Sequence, residues 1–85
     1  MKTAFILMAQ YDGKAVIPVE DVCRDYFGTT EKVFLRKVLC GEIKLPVVRL
    51  EESRRGAKGV HLNDLAAYLD KQAELARKEI EQLAS

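Results

Sequence analysis

The chain has 85 residues, 48% of them apolar, which is enough for one small hydrophobic core, so these residues are expected to form a single domain. Its formal net charge of +1 gives no overall excess of charge that would indicate a nucleic-acid or membrane partner. The charge is unevenly distributed, however. Residues 29–61 carry eight basic and four acidic side chains, whereas the segments on either side are net negative. A positive surface is therefore expected from the middle of the chain.

The chain shows no targeting signal and no metal motif. Its apolar run Ala4–Ala9 is too short to span a membrane, and no small-residue cleavage site follows it. We therefore expect a cytoplasmic, nucleoid-associated protein. The two cysteines, Cys23 and Cys40, are expected to be reduced, buried thiols. Together with His61 they supply too few ligands, at the wrong spacing, for zinc, so no metal or other cofactor is predicted.

The N-terminal segment favours a β-hairpin. Residues 3–11 are apolar, and the pair Asp12-Gly13 separates them from a second short apolar run. Such a pair is typical of a type I′ turn, because both central residues of that turn need positive φ. We therefore predict a hairpin over residues 1–17. A helix that begins at Thr3 and ends at Gly13 is the alternative.

Residues 18–41 have the pattern of two short helices joined by a tight turn. Pro18 suits the first turn of the first helix, where its missing N–H has no cost, and Gly28 suits the end of that helix. The hydroxyl of Thr30 can cap the second helix, and Gly41 can end it. This segment is therefore predicted to be a helix-turn-helix.

Residues 45–62 are predicted to form a hairpin, or wing. Two β-rich runs, 45–50 and 59–62, flank a basic loop over residues 51–58. Pro46 lies at the start of the first strand, where a missing hydrogen-bond donor is tolerated.

The last predicted helix, residues 63–84, is the longest element, and Asn63 is its expected cap. Apolar residues recur along it at seven-residue intervals, namely Leu62, Leu69, Ala76 and Leu83. The part from Ala73 onward would extend beyond so small a domain. We predict that it mediates self-association or contacts a partner protein such as RNA polymerase or a recombinase. A solvated helix packed along its own domain is the alternative.

Together these elements predict an α+β fold. The chain would form one small winged helix-turn-helix domain over residues 1–85, with an N-terminal β-hairpin and a long C-terminal helix. Two basic elements, the second helix of the helix-turn-helix and the wing, would then lie on one surface.

Two groups of proteins share this arrangement. The spacing from Gly28 to Gly41, with its Ser/Thr cap, an apolar residue at Phe34 and an arginine at Arg36, resembles the AlpA/excisionase-type winged helix. Over nearly the whole chain, the phrases MAQY-x-G-x-AVIP and LRKVL-x-GEI-x-LPVVRL resemble the pyocin activator family of PrtN type. That resemblance implies a small activator that binds double-stranded DNA at the promoters of phage-tail-like bacteriocin genes.

The second helix of such a motif enters the major groove, with its N-terminal half near the base edges. Arg36 is predicted to read a base, since its guanidinium matches O6 and N7 of guanine. Lys32, Lys37 and Thr30 are predicted to bind phosphate, and Glu31 either accepts from cytosine or favours the start of the helix. The wing cations would follow phosphates or enter the minor groove. The predicted DNA-binding residues are Thr30, Lys32, Arg36, Lys37, Arg54, Arg55 and Lys58.

Two other functions compete with transcriptional activation. An excisionase-like factor would bind and bend attachment sites for an integrase, and an adaptor would bind proteins without salt-dependent DNA affinity. An enzyme is not expected. The sequence has one histidine, no nucleophile beside a base and no phosphate-binding loop.

Overall fold

The structure is a computed structural model and describes residues 2–51 and 56–84. In chain order the elements are α1 (Thr3–Gln10), β1 (Val16–Pro18), α2 (Val19–Val22), a π-helical turn (Cys23–Phe27), α3 (Glu31–Leu39), β2 (Val48–Arg49), β3 (Lys58–His61) and α4 (Leu62–Ala84). Strand β3 lies between β1 and β2 and is antiparallel to both. The fold is α+β, as predicted, and the order of its elements is consistent with a small winged helix-turn-helix domain.

The predicted N-terminal β-hairpin is wrong, because residues 3–10 form helix α1 and strand β1 pairs with β3 instead. Asp12 and Gly13 do have positive φ, 54° and 76°, as the predicted turn requires. They use this conformation to end α1, and the Gly13 N–H donates to the Met8 carbonyl oxygen (2.7 Å) in a Schellman pattern. Both the inner and the outer face of α1 are apolar, so its sequence lacks the hydrophobic period by which an amphipathic helix is recognised.

The core lies where the helices meet the sheet. Its fully buried side chains come from every part of the fold: Leu7, Ile17, Val19, Val22, Cys23, Phe34, Val60 and Leu65. An aromatic cluster extends this core, since the ring centroid of Phe27 lies 5.0 Å from that of Phe34 and 5.8 Å from that of Tyr68. These tilted contacts hold the π-helical turn and α3 against α4.

Helix α4 begins one residue earlier than predicted and has a different cap. Its first residue, Leu62, is buried, and its N–H donates to the Ala15 carbonyl oxygen (2.8 Å). The expected cap, Asn63, therefore lies inside the helix. Nδ1 of His61 accepts a hydrogen bond from the Asn63 N–H (3.1 Å), so His61 takes the N-cap role.

Helix α1 packs antiparallel to the first half of α4. At its start, Thr3 Oγ1 donates to Asp70 Oδ1, and just past its end Ala15 accepts from Leu62. Every described residue of α4 after Ala73 is exposed. This part of α4 therefore extends beyond the domain, as predicted.

Polar contacts fasten the end of α1 to the π-helical turn. Tyr11 Oη donates to Asp25 Oδ2 (2.7 Å), and Arg24 Nε donates to Asp25 Oδ1 (3.1 Å). Nearby, Tyr26 Oη donates to Gln10 Oε1 (2.6 Å). The hydrogen bond from Tyr11, followed by that from Arg24, lowers the pKa of the Asp25 carboxyl. Burial, followed by the hydrogen bond to Asp25, raises the pKa of Tyr11.

The Tyr11→Phe substitution removes this hydrogen bond and is expected to lower the melting temperature at neutral pH by roughly 4–8 °C. Because the folded-state pKa of Asp25 is lowered, its contribution is fully present above the ordinary value of 3.8 and is lost as pH falls through the folded-state pKa. The difference between wild type and variant should therefore shrink in acid. Thermal melts across acidic and neutral pH measure it.

The Tyr26→Phe variant is the matched control. Its partner Gln10 does not titrate, so its effect on the melting temperature should be independent of pH. A Tyr11→Phe effect that is equally independent of pH would contradict the role given to Asp25.

Candidate nucleic-acid interface

Helix α3 presents its cations on the side away from the core. Thr30 Oγ1 accepts a hydrogen bond from the Val33 N–H (3.3 Å) and caps the helix, as predicted. Phe34 is fully buried and fixes which face of α3 points inward. Lys32 and Arg36 are both exposed, and their spacing of four residues makes them neighbours along the outer face.

The turn before α3 depends on Gly28. This residue has a φ of 59°, and its N–H donates to the Cys23 carbonyl oxygen (2.7 Å), which closes the π-helical turn. Glycine adopts this left-handed conformation without the steric penalty that other residues incur. Gly28 therefore sets the direction in which the chain enters α3.

Register places two cations side by side on the hairpin. Arg49 of β2 lies directly opposite Lys58 of β3, and the Leu50 N–H donates to the Ala57 carbonyl oxygen (3.0 Å) next to the loop. The first strand is shorter than predicted, since only Val48–Arg49 of the segment 45–50 is a strand. Leu45, which lies before this strand, is buried in the core.

A groove of about 250 Å³ separates α3 from the hairpin. Apolar side chains form most of its lining and two cations stand on the hairpin side: Leu35, Val38, Leu39, Val47, Arg49 and Lys58. Leu39 is 87% exposed and lies on the same outer face of α3 as Lys32 and Arg36. The groove therefore lies between the outer face of α3, which carries Lys32 and Arg36, and the two cations of the hairpin.

The arginines of the described residues fall into two groups. Arg24 pairs with Asp21 (3.1 Å) and with Asp25, and Arg77 pairs with Glu74 (3.3 Å). Within residues 2–51 and 56–84, the cations of α3 and Arg49 form no such ion pair. Their charge is therefore available to an anionic partner.

The sequence profile of one family, Pyocin activator protein PrtN, matches residues 3–76. The chain belongs to this family. The match spans α1 to the middle of α4, so it includes α3, the hairpin and the groove between them. No curated protein and no solved structure matches the chain significantly. Membership places the chain among transcriptional activators of pyocin genes.

The predicted site residues of this PrtN-family chain differ in how the structure places them. Lys32 and Arg36 share one face, and Lys58 lies across the groove from that helix. Lys37 is exposed too, while its carbonyl oxygen accepts the Glu42 N–H (2.9 Å). Thr30 uses its hydroxyl oxygen in the helix cap. Two of the predicted residues, Arg54 and Arg55, lie outside the described residues.

One basic residue of the groove, Arg49, was missing from the predicted site. Its position opposite Lys58 follows from strand register, which composition does not show. Arg49 and Lys58 form the last described pair of the β2–β3 ladder before the loop, and no local sequence pattern indicates that they face each other.

The two cysteines of the PrtN-family chain lie in different environments. Cys23 is buried as predicted, and burial, followed by the charge of Glu31, raises the pKa of its thiol. Cys40 is exposed, so its predicted burial is wrong: the residue caps the C-terminus of α3 and its side chain lies outside the core. The described residues contain no group of three or more side chains that could hold a metal ion.

None of the helices within residues 2–51 and 56–84 combines the length and the apolar character needed to cross a membrane.

Proposed function

We propose that this PrtN-family chain activates pyocin-type bacteriocin genes by binding double-stranded DNA at their promoters. Helix α3 enters the major groove, and the hairpin contacts the phosphate backbone or the adjacent minor groove. The strongest support comes from the exposed cations of α3 together with Arg49. None of these side chains forms an ion pair within the described residues.

The side chains of α3 divide into base-reading and phosphate-binding groups. Arg36 is at the centre of the outer face, where its planar fork matches the two acceptors of guanine in the major groove. Lys32 and Lys37 bind phosphates and set the orientation of the helix. The hydroxyl hydrogen of Thr30 remains free to donate to a phosphate, because its oxygen serves the cap as an acceptor.

The groove between α3 and the hairpin accepts one DNA strand. Arg49 and Lys58 supply two positive charges on one rim, while the apolar lining excludes water from the contact. Leu39, exposed beside Arg36, makes the apolar contact that a thymine methyl group offers in the major groove. DNA offers both phosphates for the cations and apolar groups for the lining of the groove. A small anion would use only the cations.

The proposed role requires no chemistry on the DNA. The chain acts at the nucleoid as a DNA-binding protein without a catalytic function. Its residues place the protein at the promoter, and this binding raises the rate of transcription.

The test measures affinity for DNA over a range of salt concentration. A labelled duplex from upstream of a pyocin-type gene block and a scrambled duplex are titrated by fluorescence anisotropy. Affinity should fall steeply with salt on both duplexes and be higher on the native one. The Arg49→Ala variant should reduce the magnitude of the salt slope by about 0.9, which corresponds to one lost phosphate contact.

The control for this experiment is Lys14→Ala, which removes an exposed cation outside α3 and the hairpin. It should leave the salt slope unchanged. Binding that does not respond to salt, or equal changes in slope for both variants, would contradict the proposed interface.

A further inference from the structure

Two apolar faces of the molecule are left uncovered. The first is the outer face of α1, where Phe5 is 60% and Ile6 is 53% exposed. The second is the C-terminal part of α4, where Ile80 is 66% and Leu83 is 83% exposed. Clusters of exposed hydrophobic side chains of this kind are typical of interaction sites.

The uncovered part of α4 belongs to an apolar stripe that begins in the part of the helix packed on the domain. Residues at alternating spacings of four and three form a single stripe along α4: Ala66, Leu69, Ala73, Ala76, Ile80 and Leu83. Helix α1 packs on α4, the stripe is buried at Ala66 and half-buried at Leu69, and the N-terminus of α1 stops beside Asp70, which bonds to Thr3. Beyond Asp70 the stripe continues uncovered, in line with the axis of α1.

We propose that a second copy of the chain covers both faces in a two-fold symmetric dimer. A two-fold axis beside the N-terminus of α1, perpendicular to α4, places the two α1 helices end to end. The outer face of the second copy's α1 then lies on the uncovered stripe. By symmetry, the C-terminal part of the second copy's α4 lies on the outer face of the first α1. Each α1 is therefore enclosed between its own α4 and that of the other copy.

The lengths of the two surfaces match. Helix α1 has 8 residues and is about 12 Å long at 1.5 Å per residue. The stretch of α4 from residue 74 to residue 84 is about 16 Å long by the same rise. The extension of α4 therefore spans the whole of an α1 helix from the second copy.

The charges also match. Helix α1 has no charged side chain from Thr3 to Gln10, and the uncovered stripe has none. Where the two α1 helices meet, both present the partial positive charge of a helix N-terminus. The Asp70 carboxylate of each copy lies at that junction and offsets this charge. Neither face offers a cation to DNA, whereas each face offers an uncharged apolar surface to the other in a second copy.

The buried area suffices for a specific contact. Covering Phe5, Ile6, Met8, Ile80 and Leu83 in both copies removes on the order of 1,000 Å² from water, which is near the lower limit for specific interfaces. A domain of 85 residues also gains from a second core, because it buries only a modest share of its own surface.

The test is sedimentation equilibrium of the full chain without DNA, from micromolar to sub-millimolar concentration. Ile80→Asp and Phe5→Asp each place a carboxylate in the dimer interface and should raise the dissociation constant about a hundredfold or more. Both side chains are exposed in one copy, so both variants keep the fold, which circular dichroism verifies.

Leu75→Asp is the matched control, because Leu75 is 45% exposed on the same helix but lines a separate groove beside Tyr68 and Lys71. It should leave the dimer intact. A chain that is monomeric throughout would overturn the proposal. So would a dimer weakened equally by Leu75→Asp, or one that responds to Ile80→Asp but not to Phe5→Asp. The assay contains no DNA, so its outcome is independent of the proposed DNA binding.

Discussion

Replacing Phe34 with alanine is expected to lower the free energy of unfolding by about 3–5 kcal/mol. Phe34 is fully buried, and its ring packs against Phe27, so truncation leaves a cavity between α3 and the first helix of the motif. A domain of this size has a total stability on the order of 4–13 kcal/mol, so the variant should be close to unfolding. Urea denaturation followed by circular dichroism measures the loss.

Phe34→Leu is the control for this substitution. It keeps most of the buried volume and should cost roughly 1.5 kcal/mol or less. If Phe34→Ala loses no more stability than Phe34→Leu, Phe34 does not fix α3 against the core.

The Arg36→Ala variant is expected to weaken binding to the native promoter duplex by about 1–3 kcal/mol and to relax preference at one base pair. The loss on a scrambled duplex should be smaller, because Arg36 is assigned to a base edge. Anisotropy titrations with both duplexes and with single-base variants of the native one measure these effects.

Lys37→Ala is the matched control, since Lys37 lies on the same helix and is assigned to phosphate. Its loss of affinity should be similar on the native and the scrambled duplex. Equal losses on the two duplexes for Arg36→Ala would remove the base-reading role from this residue.

The turn at Gly28 and helix α3 could be predicted because their signals are local. A glycine in a left-handed conformation at Gly28, a hydroxyl cap at Thr30 and a stop at Gly41 each act within one or two turns of chain. Phe34 sets the inward face of α3, and this in turn sets the exposure of Arg36.

The rest depends on contacts between distant parts of the chain. The Asp12-Gly13 pair satisfies a hairpin turn and a helix end equally well, and packing of α1 on α4 decides between them. His61 replaces Asn63 as the cap because Leu62 has to reach the core. The place of Arg49 in the groove depends on strand register. No local pattern contains this information.

The decisive test of the proposed DNA interface is a map of backbone amide chemical shifts of the chain with and without the native promoter duplex. The proposed interface predicts that salt-sensitive changes concentrate in α3 and in the hairpin residues next to Arg49 and Lys58. The amides of α1 and of residues 74–84 should change little on addition of DNA. Changes confined to α1 and residues 74–84, with α3 and the hairpin unaffected, would contradict the proposed interface.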